Sequence, residues 1–443
     1  MSISKINIKG SQQIISNTTA DDPLQPVASF SVGSSLRASI ESYDIELKKD
    51  DVVEMVFEDG TVWYGNADTL EDVFPEALDT NRSGEMGFTL PSTLDNDSTD
   101  RSLVGDAVLK LFNVFSKKKL STEIKKLAED LEKKQLDNMS GLYKVDSSYH
   151  LSAFNASESD KPWFLFLHGT ASSSSGSFAE LVGSDLWQYI HTQYAGQVLA
   201  FQHETLTKSP LQNVFELLEQ LPKSGALHII SHSRGGLVGE VLARFCNGSE
   251  LNKGFDANEI ALLKKEDRND DLKYIAAIET AMKDRKLFVE KFIRVACPAS
   301  GTTLASGRLD NFFNVSINLL GLATGAAANP VFISFRALAS AVINCKNDVN
   351  TLPGLEAMSP DSVFIKVLNN PSGKVVLDNP LAIISGNCKT KFNLKALLII
   401  ASRIFFQKNN DLVVNTASMH NGTQRLTRVQ YFLDADTNVA IPT

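Results

Sequence analysis

Residues 227–245 read LHIISHSRGGLVGEVLARF. Leu227–Ile230 is a short β-prone apolar run, and after Ser231-His232-Ser233-Arg234-Gly235-Gly236 the residues Leu237, Val238, Val241, Leu242 and Phe245 fall on one helical face. Strand, sharp turn and helix is the context that presents a serine nucleophile at the end of a sheet. Such a turn needs small residues two positions to either side of the serine, so that neighbouring backbone passes closely. Around Ser233 those are Ser231 and Gly235, with serine where a GxSxG motif has its first glycine. Arg234 is expected to act through its backbone N–H, which at the helix N-terminus points to where an oxyanion develops.

A tetrahedral intermediate needs a second donor. Upstream, FLFLHGT at 164–170 is an apolar strand ending in His168-Gly169-Thr170, and the Thr170 N–H is the candidate. His168 and His232 read as structural: a histidine beside the nucleophile points away at a tight turn, and one before a glycine braces its loop. The serines 172–175 read as a mobile loop lining the site. The apolar runs 163–167, 198–201, 227–230, 292–296 and 381–384, separated by helical patterns, give the β-α-β-α rhythm of a mainly parallel sheet flanked by helices over 161–443. Two insertions interrupt it, a charged, helix-prone one at 247–291 and another at 311–345. Residues 311–335 carry no charged side chain, but Asn311, Asn314, Asn318, Asn329 and Pro330 break the run. It is expected as cap helices over an acyl pocket rather than as a membrane span.

Toward the N-terminus, VVEMVFEDGTVWYG at 52–65 reads as two β runs around Asp59-Gly60, a dipeptide that tolerates the positive φ of a tight hairpin. A small β-containing domain is expected over 1–100. Residues 101–160 read as a helical linker region, where Leu120, Ile124, Leu127 and Leu131 recur among Lys and Glu. Lys117–Lys119 reads as a solvated helix face, since acidic residues follow at once.

The 443 residues are 43% hydrophobic and 21% charged, which is ordinary for a folded soluble protein. The balance of 43 basic and 52 acidic side chains, 43 − 52 = −9, argues against a general nucleic-acid binder. Cysteines at 246, 297, 345 and 388 are too sparse for a disulfide scaffold or a CxxC metal site. A reducing, cytoplasmic compartment is expected, with no metal and no cofactor. The start, MSISKINIKG, lacks the apolar core of a secretory signal.

HGT at 168–170, HSRGG at 232–236, ACPASGTTLAS at 296–306 and LPGLEAMSPDSVFIKVLN at 352–369 together resemble the lipase-like branch of the α/β-hydrolase superfamily. They are particularly similar to hydrolase-like modules of bacterial proteins that also carry caspase-like CHAT domains. The resemblance covers about 160–435, and FEDGTVW with SGLYKV at 140–145 extends it less specifically toward the N-terminus. It implies an α/β-hydrolase fold with cap insertions, beside a small N-terminal α+β region.

The triad order along such a chain is Ser, then Asp or Glu, then His. QKNNDLVVNTASM at 407–419 resembles a lipase acid loop and implies Asp411 as the acid. An ordinary Asn-Asn-Asp turn is the bland alternative there, and Asp378 the second candidate. His420 is the one histidine after Asp411, and a β run at 425–432 follows it. In relatives of this type the imidazole is expected beyond such a run. Three alternatives stay open: His420 folds back to serve as base, the imidazole lies beyond residue 443, or no triad forms. Cys297 and Ser300 sit outside any elbow, and Cys297 is assigned to packing.

The expected function is a serine acyl hydrolase of lipase or esterase type acting on an acyl ester or lipid. Neither nucleic-acid binding nor a transmembrane segment is expected, while peripheral membrane contact and additional domains or partner proteins are compatible with it. Two alternatives stand beside it: a catalytically impaired binding or regulatory module of a larger multidomain protein, and an amidase or peptidase on the same triad.

Overall fold

The computed structural model describes residues 5–15, 26–32, 41–48, 51–80, 86–95, 106–116, 124–156, 159–247, 253–302, 309–324, 329–344, 352–370, 372–386, 394–404, 414, 416–427 and 429–434. In chain order its strands are β1 (Lys5–Gln12), β2 (Ala28–Ser31), β3 (Glu41–Glu46), β4 (Val52–Phe57), β5 (Val62–Gly65), β6 (Leu78–Thr80), β7 (Met86–Leu90), β8 (Thr93–Leu94), β9 (Ala107–Phe115), β10 (Gly141–Val145), β11 (Leu151–Ala153), β12 (Trp163–Leu167), β13 (Val198–Gln202), β14 (Ser224–His232), β15 (Lys286–Val295), β16 (Leu381–Gly386) and β17 (Gln430–Asp434). The helices are α1 (Ala67–Val73), α2 (Ile124–Gln135), α3 (Ser174–Phe178), α4 (Asp185–Tyr194), α5 (Pro210–Gln220), α6 (Gly235–Phe245), α7 (Ala257–Lys265), α8 (Asn269–Met282), α9 (Leu309–Thr324), α10 (Pro330–Asn344), α11 (Pro353–Glu356), α12 (Val363–Leu368) and α13 (Lys395–Ile404). They divide into two units, residues 1–127, 309–348 and 390–408 forming the first and 128–308, 349–389 and 409–443 the second.

The second unit is an α/β-hydrolase fold. Its eight-stranded sheet runs β11-β10-β13-β12-β14-β15-β16-β17, parallel from β13 to β17, with β10 antiparallel to both β13 and β11. Every residue of β12 (WFLFL) and β13 (VLAFQ) is buried, because helices cover both faces of a parallel sheet. Ser209 accepts the Gln212 N–H and Pro210 opens the first turn of α5, a start that costs no hydrogen bond because that N–H has no helical partner. Leu211, Val214, Leu217 and Leu218 then face inward at helical spacing. Helix α6 is buried on every side. Leu237, Val238, Val241 and Leu242 are each fully buried, and each such side chain contributes about 1.5–3 kcal/mol of apolar burial.

The first unit is built on a nine-stranded sheet ordered β5-β4-β9-β2-β1-β7-β6, with β3 on β1 and β8 on β9. The hairpin expected at Asp59-Gly60 joins β4 to β5, with Gly60 at φ +90° and Val56 opposite Val62. The uncharged run expected as a cap belongs to this unit. Asn314 of α9 accepts the Tyr64 N–H at 2.6 Å and donates to the Tyr64 carbonyl at 2.7 Å, and Asn318 does the same with Val62 at 2.8 and 2.7 Å. A helix advances about 6 Å in four residues and a strand about 6.6 Å in two. Two asparagines one turn apart therefore match alternate peptides of β5 and close its open edge as a neighbouring strand would. Two of the amides that break the apolar run, Asn314 and Asn318, are thus its docking surface. Arg336 of α10 adds bonds to the Tyr64 hydroxyl at 2.7 Å and the Glu54 carboxylate at 2.6 Å. Among the described residues no helix is long and apolar enough to cross a membrane.

Replacing Asn314 by Ala strands a buried N–H and a buried carbonyl, each worth about 1–3 kcal/mol. Asn314→Asp keeps the acceptor but sets a carboxylate against the Tyr64 carbonyl. Both variants are expected to lower the urea midpoint, and an unchanged midpoint would show that the amide pairing contributes nothing.

Candidate active site

Ser233 lies between the end of β14 and the start of α6 with φ +51°, the left-handed region that costs a non-glycine residue about 1–2 kcal/mol. Its N–H donates to the Val295 carbonyl at 2.8 Å, and its own carbonyl accepts the Gly236 N–H at 2.9 Å. These bonds hold the turn. Within 227–247 every residue is buried except Ser233. A Cβ on Gly235 would stand 2.3 Å from the Leu167 carbonyl oxygen, and one on Gly236 2.4 Å from Cys297 Sγ. Gly235 therefore lets the first turn of α6 press against the end of β12, and Gly236 lets it press against the end of β15. Ser231, in place of the usual glycine, is fully buried and its hydroxyl donates to the Ile293 carbonyl of β15 at 3.4 Å.

The HGT loop lies alongside. A Cβ on Gly169 would be 2.9 Å from Ser233 Cβ and 3.1 Å from His232 Nδ1, which brings this loop against the elbow. Among the described residues neither the Thr170 nor the Arg234 N–H has a hydrogen-bond partner. His168 is fully buried; its Nδ1 donates to the Gly169 carbonyl at 3.0 Å and its Nε2 accepts the His203 N–H at 3.1 Å. Burial pushes its imidazole down to about 4, so it stays neutral near neutral pH and braces the loop. The serines expected as a mobile loop instead begin α3, where Ser173 accepts the Gly176 N–H at 3.1 Å.

The Arg234 side chain is fully buried and spent on structure. It donates to the carbonyls of Gly354 at 3.1 Å and Lys208 at 2.5 Å and to Asn213 Oδ1 at 3.0 Å. Sequence reading missed Glu132 of α2, a buried carboxylate that accepts the N–H groups of Thr205, Leu206 and Thr207 together with the Thr207 hydroxyl. Its position one turn from Ala128 and from Leu136, both buried, was the available signal: an acid on an apolar helix face.

The segment 416–425 is clamped beside the elbow. Buried Arg294 of β15 donates to Glu240 of α6 at 2.6 Å, to the Met419 carbonyl at 2.8 Å and to the Asn421 carbonyl, while Arg425 reaches Glu240 at 2.9 Å. Arg294 thus grips the residues on either side of His420. The His420 Nε2 pairs with the Ser385 hydroxyl at 2.9 Å and its ring packs edge-on against Tyr431. Burial, with Arg294 adding to it, lowers its pKa from the usual histidine value. Among the described residues no hydrogen bond joins His420 to Ser233. Asp411 lies outside the described residues. Asp378 donates its N–H to Asn247 at 3.3 Å, next to the bridge between Leu377 and Arg425. Ser300 accepts from Asn421 at 2.5 Å. Cys297 is buried, and desolvation pushes its thiol up to about 12, which fits packing and leaves little nucleophilic thiolate.

No curated protein matches the chain. Similar solved structures include EstA from Clostridium botulinum, 13% identical with a TM-score of 0.41 and covering 73% of this chain and 94% of its own. Lipase 1 from Pelosinus fermentans is 15% identical with a TM-score of 0.39 and covers 63% and 94%. The mature Bacillus licheniformis lipase BlEst2 is 14% identical with a TM-score of 0.33 and covers 68% and 92%. A family model described as a domain of unknown function, DUF7379, matches residues 131–262 and 273–440, and the chain belongs to that family.

Proposed function

We propose that this protein is a serine acyl hydrolase of lipase or esterase type. The observation that carries this reading is Ser233: a strained, positive-φ serine, the single accessible residue within 227–247, at the positive end of α6. Its Oγ attacks an ester carbonyl, the Thr170 and Arg234 N–H groups receive the oxyanion, and water later releases the acyl group. Asp411 is assigned as acid on the resemblance of its stretch to a lipase acid loop, and His420 as base because it is the one histidine that follows. In this role His420 exchanges its Ser385 partner for the Ser233 hydroxyl. The substrate is an acyl ester or a lipid, presented in solution or at a membrane surface. Amide hydrolysis uses the same groups. The reading places the chain in a reducing cytoplasm, where buried Cys246 and Cys297 remain thiols.

The test is a fluorophosphonate probe, which phosphonylates an activated serine. Wild type is expected to label at Ser233, Ser233→Ala to lose the label, and His420→Ala to label at least about a hundredfold more slowly, since the general base is gone. Labelling that persists in Ser233→Ala sinks the assignment. Full-rate labelling of His420→Ala removes His420 as base. The engagement of His420 by Ser385 favours a second reading, a hydrolase-like binding or regulatory module within a larger protein. A wild type that never labels, with Ser233→Ala neutral in the cell, supports that one.

A further inference from the structure

Helix α2 enters the sequence as part of a linker, yet its one buried carboxylate reaches the segment that follows β13. Residues 203–208 hold both proposed oxyanion donors. Toward Thr170, the His203 N–H donates to His168 Nε2 at 3.1 Å, and His168 Nδ1 donates to the Gly169 carbonyl at 3.0 Å. In a trans peptide the N–H points opposite to the C=O, so fixing the Gly169 carbonyl aims the Thr170 N–H. The next two peptides are fixed as well, because the Ala171 N–H donates to Thr205 Oγ1 at 3.0 Å and Gln135 of α2 donates to the Ala171 carbonyl.

Toward Arg234, the guanidinium donates to the Lys208 carbonyl at 2.5 Å and to the Gly354 carbonyl at 3.1 Å. Gly354 in turn donates its N–H to the Leu206 carbonyl at 2.9 Å. Asn213 joins the same segment to the same guanidinium, donating to the Glu204 carbonyl at 3.0 Å while accepting from Arg234 at 3.0 Å. What holds 203–208 itself is Glu132, which takes three successive backbone N–H groups, at 205, 206 and 207, and the Thr207 hydroxyl at 2.5 Å. All four partners donate, the pattern an ionised carboxylate satisfies.

We propose that Glu132 is a positioning residue for the oxyanion hole, fixing through the 203–208 segment where the Thr170 and Arg234 N–H groups point. The proposal rests on the serine-hydrolase reading. Burial raises the carboxyl pKa against the opposing pull of the Leu206 and Thr205 N–H groups, the Thr207 hydroxyl and Arg234. A donor displaced by a fraction of an ångström serves the transition state poorly while ground-state binding survives.

The experiment compares Glu132→Gln with Leu131→Ala in the full chain. Leu131 is fully buried on the same helix, so its truncation loosens α2 without touching the carboxylate. In Glu132→Gln, kcat on a short-chain ester is expected to fall about 10–100-fold with KM within about twofold, because one misplaced donor costs up to about 10²–10³. Amide exchange at 168–172 is expected to accelerate at least about tenfold. Leu131→Ala is expected to lower the melting temperature and keep kcat. An unchanged kcat in Glu132→Gln, or the same kcat loss in Leu131→Ala, overturns the proposal. If Glu132→Gln does not fold, Thr205→Val, which removes only the Ala171 acceptor, takes its place: a kcat loss at constant KM supports the proposal and an unaltered kcat overturns it. If wild type turns over no ester, the serine-hydrolase reading fails separately, and the exchange of 168–172 alone decides whether Glu132 braces this loop.

Discussion

Ser233→Gly is expected to lose ester hydrolysis by at least about 10⁴-fold, the scale on which removal of a triad nucleophile acts, while the folded protein becomes no less stable. The loss follows from chemistry: with no Oγ there is no acyl-enzyme, and the oxyanion donors alone give only residual catalysis. The stability follows from backbone geometry. At φ +51° serine carries about 1–2 kcal/mol of strain that glycine lacks, offset by glycine's larger loss of chain entropy, about 0.5–1 kcal/mol. Ser233→Ala removes the same hydroxyl and keeps the strain. The pair of variants, compared in kcat/KM and in melting temperature, therefore separates the two effects. Both should be inactive, and the glycine variant should melt higher than the alanine one, by about 2–4 °C for each kcal/mol of strain released. A glycine variant that melts below the alanine one would show that the elbow stores no strain.

Gly235→Ala should do the reverse, damaging the fold through one methyl group. That carbon would stand 2.3 Å from the Leu167 oxygen, 2.6 Å from the His168 oxygen and 2.7 Å from the Leu167 carbonyl carbon, all of them backbone. No rotamer change relieves such a contact. Either α6 moves off β12 or the HGT loop shifts, and both carry the groups that meet the substrate. A loss above about 4 kcal/mol is expected, seen as insoluble expression or a melting temperature lowered by more than about 8 °C. Gly10→Ala provides a comparison in the other unit, since its Cβ would stand 2.1 Å from the Ser31 oxygen. If that variant unfolds with activity lost only in proportion, while Gly235→Ala also abolishes probe labelling in its folded fraction, the second loss is local to the elbow. A Gly235→Ala protein with wild-type melting and activity would mean that the close packing here is not required.

How far the sequence discloses all this depends on the range of each interaction. Strands β12, β13 and β16 are legible to within two residues because a sheet buried on both faces leaves continuous apolar text. β15 is half hidden, since Lys286, Glu290 and Lys291 are exposed on it and make its first turn of text look like the end of a charged helix. The elbow is legible because every requirement, small residues and a strand-to-helix change, lies within a few positions of Ser233. The environment of His420 is not, because Arg294, Ser385 and Tyr431 come from three different strands. The uncharged run was legible as helices but not in its destination: only the spacing of Asn314 and Asn318 against Val62 and Tyr64, some 250 residues earlier, assigns it to the first sheet. Glu132 reads as one more charge in a Lys- and Glu-rich helix until its three peptide partners are seen.

That separation bears on how the protein is made. Ribosomes add about 5–20 residues per second, so β5 leaves the tunnel roughly 10–50 seconds before the asparagines that close its edge, 250 positions later in the chain. During that interval the nascent sheet offers a row of unpaired N–H and carbonyl groups, the kind of template on which chains pair with one another. Slow codons between residues 65 and 309 would lengthen the exposure, and a chaperone that holds an open strand edge would shorten its consequences. Closure of that edge therefore depends on the order of synthesis as well as on the stability of the finished molecule.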